Sequence, residues 1–398
     1  MAAGSSGIGA GGGGRSHAAA AYGWRRQLVL RVVSPRRRGA VLAASFPAWS
    51  AAAHCRETTE VDFPRGRGER LTVIASVAFR KFKALRETSL TLLPFNLVIG
   101  PNGSGKTSLI QALLRLRTLS KLPLAEGERR TDGPEIEFRF FPPHDSVHAR
   151  LGCRSELVCD LLQVIPADAP DWPTLRERVG HIRSYFFDHY AMAEPSSAKT
   201  GAELSSNGGN LAAVLGGLRR RAPVEFAALV AEGVRLWPEY VGLEVTESDG
   251  GVVEFSMRLV DGGLVSAENL SQGTLYLLAM LVIAFDPDPP AVLCIEEIDR
   301  GIHPRLLREV RDVLYRLSYP ESFGLARRAV QVIATTHSPY LLDLFRDHPE
   351  EIVIAQKQGT VARFERLADR PDIKELLSEG SLGDMWFSGI LGGVPDER

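Results

Sequence analysis

Residues Gly100 to Thr107 read GPNGSGKT, a match to the phosphate-binding pattern G-x-x-x-x-G-K-[ST] with Gly100, Gly105, Lys106 and Thr107 at its defining positions. The apolar run Leu90 to Ile99 precedes it and the helix-like stretch Ser108 to Leu119 follows, which is the strand, loop, helix context the motif requires. Glycines let successive backbone N–H groups turn inward around a polyphosphate, while the new helix offers its positive end and free amides to the same anion. The cradle is therefore expected to run through Gly100, Pro101, Asn102, Gly103, Ser104, Gly105, Lys106, Thr107 and Ser108. Lys106 is expected to reach the β- and γ-phosphates, and Thr107 to ligate Mg²⁺.

Downstream, AVLCIEEID (Ala291 to Asp299) is an apolar run that ends abruptly in acids. That pattern predicts a buried strand delivering Glu296 and Glu297 to the carboxyl edge of a parallel sheet, where open α/β folds bind ligands. Glu296 suits Mg²⁺, directly or through water, and Glu297 suits a base that orients and deprotonates an attacking water. In ATTHSPYLLDLF (Ala334 to Phe345), His337 follows a β-branched strand and precedes a Ser-Pro helix start, so it is expected at the same edge, within reach of a γ-phosphate. In NLSQGTLYLLAMLV, Ser271 and Gly273 stand just before an apolar helix. That arrangement can bind an anion and is equally a common helix cap.

With 398 residues and 44% hydrophobic content the chain can bury a large core. From Ala267 onward helices and strands alternate: helices at Thr274 to Phe285, Pro304 to Leu317 and Pro339 to Phe345, strands at Ala291 to Ile295, Ala329 to Ala334 and Glu351 to Ala355. The expected fold is α/β, a mostly parallel sheet flanked by helices. Earlier in the chain, Leu71 to Phe79 and Leu90 to Ile99 read as strands around the charged turn RKFKALRE, Glu135 to Phe141 as a half-buried strand, and 166–236 as polar and helical. GLEVTE and GVVEFSMRLV read as a hairpin turning at SDGG.

Formal net charge is −1, yet residues 1–56 hold eight arginines and no lysine or acid, leaving 39 basic against 48 acidic residues in the remainder. An acidic body means that nucleic-acid binding would need a local basic patch. Residues 1–68 are Ala/Gly/Arg-rich without period and are expected to be a disordered extension; a transit peptide and a start codon placed too early are the competing readings. The four cysteines lack metal-ligand spacing and read as reduced, small apolar residues of a cytoplasmic protein. The longest apolar run, Leu275 to Phe285, is too short to span a bilayer and reads as a buried helix, so no membrane association is expected.

Taken together, GPNGSGKT, LSQGT, LCIEEID followed by GIHP, and THSPYLLD resemble the ABC-class, AAA-type ATPases of the RecF and structural-maintenance-of-chromosomes kind, in particular those related to the overcoming-lysogenization-defect nucleases. GGNLAAVL (Gly208 to Leu215) and LGDMWFSGILGG (Leu382 to Gly393) also resemble that group. The resemblance implies a P-loop NTPase of the ABC head type over 69–398, with an inserted helical or mixed lobe at about 122–265. It further implies ATP and Mg²⁺ as cofactors and a head-to-tail homodimer in which ATP lies between one copy's P-loop and the other's Ser271 and Gly273. The expected function is ATP hydrolysis in DNA maintenance or phage defence, through double-stranded DNA or a separate effector or nuclease. A transporter subunit and a non-hydrolysing scaffold are the alternatives. The chain departs from its relatives in carrying Glu296 where most have aspartate and Ile298 where proline is frequent. No clear Q-loop glutamine is present, Gln163 being the one candidate, and Arg80 and Lys81 are carried over as basic groups near the nucleotide.

Overall fold

The computed structural model describes residues 72–122, 124 and 133–393. The expected extension at 1–68 lies outside the described residues. Three sheets organise the rest. The antiparallel sheet runs β2-β1-β4-β5-β6, built from β1 (Ile74–Phe82), β2 (Leu85–Thr91), β4 (Glu135–Phe140), β5 (His148–Cys153) and β6 (Cys159–Ile165). The central sheet runs β15-β14-β3-β13-β12-β7, built from β3 (Phe95–Ile99), β7 (Ile182–Tyr185), β12 (Val292–Ile295), β13 (Gln331–Thr335), β14 (Ile352–Gln358) and β15 (Val361–Arg366). Its pairs are parallel except β14 with β15. The third sheet joins β8 (Ser196–Ser197), β10 (Val252–Leu259) and β11 (Leu264–Ser266), with β9 (Tyr240–Glu247) pairing β10.

Alternation along the central strands explains why this sheet sits at the middle. Phe95, Leu97 and Ile99 of β3 face one core, together with Leu293, Ile295, Val332, Ala334, Ile352 and Ile354. Val98, Val292, Cys294, Ile333, Val353 and Ala355 face a second core on the opposite side. A strand buried on both faces has no polar side, so its residues read as one continuous apolar run. The first core is closed by α4 (Leu211–Arg221), α5 (Pro223–Leu236), α6 (Gln272–Phe285), α7 (Leu307–Ser318), α8 (Pro339–Asp343) and α10 (Leu382–Phe387); α3 (His189–Ala193) and α9 (Ile373–Glu379) pack at its border. The second is closed by α1 (Lys106–Ser120), α2 (Trp172–Gly180) and the antiparallel sheet. Helix α6 is buried from Gly273 to Ala284, as befits a helix apolar on every side. Buried Gln331 ties the two sheets across the second core: its Oε1 accepts from Ile74 N at 3.0 Å and its Nε2 donates to Ile74 O at 2.7 Å.

The mostly parallel α/β sheet is the one expected; several local readings differ. RKFKALRE is not merely a turn: it continues β1 and begins β2, pairing Phe82 with Leu85, and the run Leu90 to Ile99 breaks at Pro94, which cannot donate to a ladder. The stretch 166–236, expected to be helical, contains β7, which edges the central sheet; four residues in a charged context carry no visible period. Strands from the span 122–265 enter all three sheets. Cys153 and Cys159 stand opposite each other in the β5–β6 register and are joined in a disulfide, not the separate thiols expected; Cys294 is the buried free thiol among the described residues. Among the described residues no helix is long and apolar enough to cross a membrane.

The C-terminal elements are fastened to α8. Asp343 accepts from Gly383 N at 2.9 Å and from Ser381 Oγ at 3.0 Å, and a β-carbon at Gly383 would lie 2.6 Å from the Pro339 carbonyl oxygen. Alanine inside a helix ordinarily stabilises by ~1 kcal/mol over glycine. Gly383→Ala should do the opposite and destabilise by ~1–3 kcal/mol, the cost of forcing bulk into a packed contact. Chemical denaturation measures the sign, and a stabilised variant would contradict this packing.

Candidate active site

Strand β3 feeds the P-loop, and its glycines are there for geometry. Gly100 has φ +145°, and a β-carbon on it would lie 2.3 Å from Ala355 O on β14. Gly105 has φ +98°, and a β-carbon there would meet Leu85 at 2.8 Å. The loop is thus pressed between two strands in a backbone conformation that side chains disfavour. Lys106, first residue of α1, is buried and donates to the carbonyl oxygens of Gly100 at 2.7 Å and Pro101 at 3.0 Å. Burial lowers its amine from 10.5 to about 8, against the pull of Glu297 and Glu296. Ser104 Oγ is buried with no hydrogen-bond partner, a polar atom in the loop wall that a polar ligand could satisfy.

Strand β12 carries the two acids to the same edge. Glu296 N donates to Tyr185 O at 3.0 Å, and Glu297 N donates to Thr335 Oγ1 at 3.0 Å, so neighbouring strands hold both backbones. Glu297 has φ +53°, a left-handed conformation that costs a non-glycine residue about 1–3 kcal/mol and is characteristic of functional turns. The Thr107 hydroxyl donates to Glu296 Oε2 at 2.8 Å, bringing together two residues 189 positions apart. Two hard oxygen donors beside an anion cradle fit Mg²⁺, which takes its other ligands from phosphate and water. Glu297 itself is partly exposed, with Arg300 Nε 3.8 Å from its Oε2.

His337 stands two residues beyond the end of β13. The preceding Thr336 is buried; its hydroxyl donates to Asp299 Oδ1 at 2.5 Å and accepts from Ser338 N at 3.0 Å, fixing the turn on which the histidine stands. Burial, then the Lys106 charge, hold the imidazole below its ordinary value, with Asp299 and Glu297 pulling the other way. The ring is accordingly neutral at pH 7 and can donate one hydrogen bond and accept another.

Ser271 and Gly273 are placed differently. Ser271 caps α6, accepting from Thr274 N at 3.1 Å and sharing a 2.7 Å hydrogen bond with Thr274 Oγ1. A β-carbon on Gly273 would lie 2.5 Å from Gly301 O, so α6 begins hard against the turn that follows the acids. From there Gln272 Nε2 donates to Tyr276 OH at 3.0 Å, which donates to Phe187 O at 2.7 Å. P-loop, Glu296, Glu297 and His337 converge; Ser271 and Gly273 engage the Gly301 turn and their own helix.

Arg80 pairs with Glu135 at 2.7 Å on the antiparallel sheet, and its neighbour Lys81, φ +53°, is exposed at the β1–β2 hairpin. Gln163 lies on β6 opposite Arg150. The segment at the sheet edge beside β12 is instead Phe186 to Asp188, after β7, a position invisible without that strand. Thr335 and Thr336, which hold the acids and the histidine turn, were readable only as β-branched strand residues.

The profile of the family described as "AAA domain, putative AbiEii toxin, Type IV TA system" matches residues 95–213 and 228–343. These stretches open on the first residue of β3 and close on the last of α8. No curated protein matches the chain. Among solved structures, an Smc head domain bound to the C-terminal domain of ScpA, from Pyrococcus furiosus, is similar at 15% identity and TM-score 0.49, over 77% of this chain and 99% of that one. The SMC head domain from Thermotoga maritima is similar at 14% and 0.42, over 74% and 98%. An Smc head domain with a coiled coil and joint from Pyrococcus yayanosii is similar at 11% and 0.47, over 77% and 99%. With the matched profile covering more than half of its length, the chain belongs to this AAA-domain family.

Proposed function

We propose that the chain binds ATP with Mg²⁺ and hydrolyses it as a head-to-tail homodimer, and that closing of this dimer acts on a separate effector or on double-stranded DNA in phage defence or DNA maintenance. The observation that carries the reading is the convergence at one sheet edge: Thr107 Oγ1 lies 2.8 Å from Glu296 Oε2, Lys106 feels both glutamates, and His337 feels Lys106 and Glu297. In this reading the backbone from Gly100 to Ser108 and the Lys106 ammonium hold the phosphates, and Thr107 and Glu296 hold Mg²⁺, whose chemistry is to neutralise developing charge. Glu297 takes the proton of the attacking water as the new bond to phosphorus forms and the bond to the ADP oxygen breaks. Neutral His337 donates a hydrogen bond to the transferred phosphoryl oxygens.

Ser271 bonds its own helix and Gly273 packs on the Gly301 turn, which supports a site that a second copy completes, with the start of its α6 offered to the γ-phosphate. The family's description as a putative toxin of a type IV toxin–antitoxin system supports an effector or defence setting. An acidic body supports a protein effector over a broad DNA-binding face.

Two outcomes are expected. Because a polyphosphate favours the charged amine, ATP binding takes up a proton once Lys106 begins to deprotonate. Affinity should therefore weaken through pH 8, by about tenfold between pH 7 and pH 9, as read by titration calorimetry; a flat profile would contradict Lys106 as the phosphate ligand. Glu297→Gln should bind ATP, turn it over at least ~100-fold more slowly, and run as an ATP-dependent dimer on size exclusion, since the base is lost and the sandwich kept. Normal turnover in this variant would put the base elsewhere.

A further inference from the structure

The C-terminal part of the chain builds a second wall on the P-loop. Strand β14 pairs in parallel with β3, matching Ile354 to Ile99, and its continuation lays Ala355 O against Gly100. From the far end of the chain, Gly393 packs beside Gly100: a β-carbon there would sit 3.4 Å from Gly100 Cα and 3.0 Å from Ile354. Trp386 Nε1 donates to Gly393 O at 3.3 Å and Arg370 donates to Leu391 O at 3.1 Å, so the tail is anchored where it meets the loop. Two residues beyond Ala355, the Lys357 ammonium lies 3.3 Å from the position that a β-carbon on Gly103 would occupy, over the apex of the P-loop.

Charge at this edge favours a second cation. Lys106 faces Glu296 and Glu297, and Asp299 stands behind His337, whereas bound nucleotide brings several negative charges of its own. Of the neighbouring cations, Arg80 is committed to Glu135, Arg300 to Glu297 and the ring of Phe186, and Lys83 to Gln111, while Lys81 is exposed at the β1–β2 hairpin. Lys357 is exposed, and among the described residues no acidic side chain pairs with it; Glu365, on the adjoining strand, accepts from Gln356 instead, at 2.5 Å.

We propose that Lys357 is a second phosphate-binding lysine, which closes over Gly103 and contacts the polyphosphate of the nucleotide from outside the P-loop. The proposal rests on the nucleotide-binding reading above. A flexible four-carbon stem with a compact ammonium suits a contact made over the loop, and one charge-assisted contact at a partly exposed site is worth about a five- to tenfold change in affinity.

Calorimetric titration of the full chain with a non-hydrolysable ATP analogue and Mg²⁺ tests this without turnover. Lys357→Ala should weaken binding ~5–10-fold, Lys357→Glu further still, and Lys357→Arg should stay within about twofold of wild type. The wild-type advantage over Lys357→Ala should shrink as salt is raised. Because Lys357 is exposed, melting temperatures of all three variants should be unchanged, which separates lost contact from lost fold. Wild-type affinity in both the Ala and the Glu variants would overturn the proposal while leaving nucleotide binding intact, provided Lys106→Ala abolishes binding in the same titration. Failure of the wild-type chain to take up the analogue would overturn the nucleotide reading and this proposal with it.

Discussion

The parallel ladder β7-β12-β13-β3-β14 is the constraint on which the rest depends. Parallel strands run the same way, so four chain segments leave the sheet along one edge, Phe186 to Asp188, the two glutamates, His337 and the P-loop, and β14 carries Lys357 past that edge. The ladder is held in register because alternate side chains are claimed by two separate cores, and a slip of one residue would exchange every one of them. Hydrophobic burial therefore sets the relative position of charged groups that never touch the core.

Within that edge, electrostatics oppose solvation. Lys106 is buried against two backbone carbonyls, and two carboxylates partly offset the cost of keeping it charged. Glu297 itself is left-handed, and Thr335 grips the backbone on both sides of it through Glu297 N and Ile298 N. The arrangement holds charge ready at fixed positions, which is what transfer of a phosphoryl group requires of a protein.

Much of this was legible in the chain because the motifs are local. GPNGSGKT, IEEID and THSP each carry their own strand-to-loop transition, and apolar runs around them announce a buried parallel sheet. What could not be read depends on partners distant in sequence. Strand β7 is four residues in a polar stretch, recognisable only by its pairing with β12. Cys153 and Cys159 are brought together by a hairpin register. Leu85 occupies the space that a β-carbon on Gly105 would need, and Lys357 gains meaning only from lying over Gly103.

In the proposed dimer each chain alone holds an incomplete site. The most direct test of this is the dependence of specific ATPase activity on protein concentration, measured from nanomolar to micromolar with mass determined in parallel by light scattering. Activity per chain is expected to rise with concentration and to saturate where the dimer does. Constant activity per chain in a species that remains monomeric throughout would contradict it.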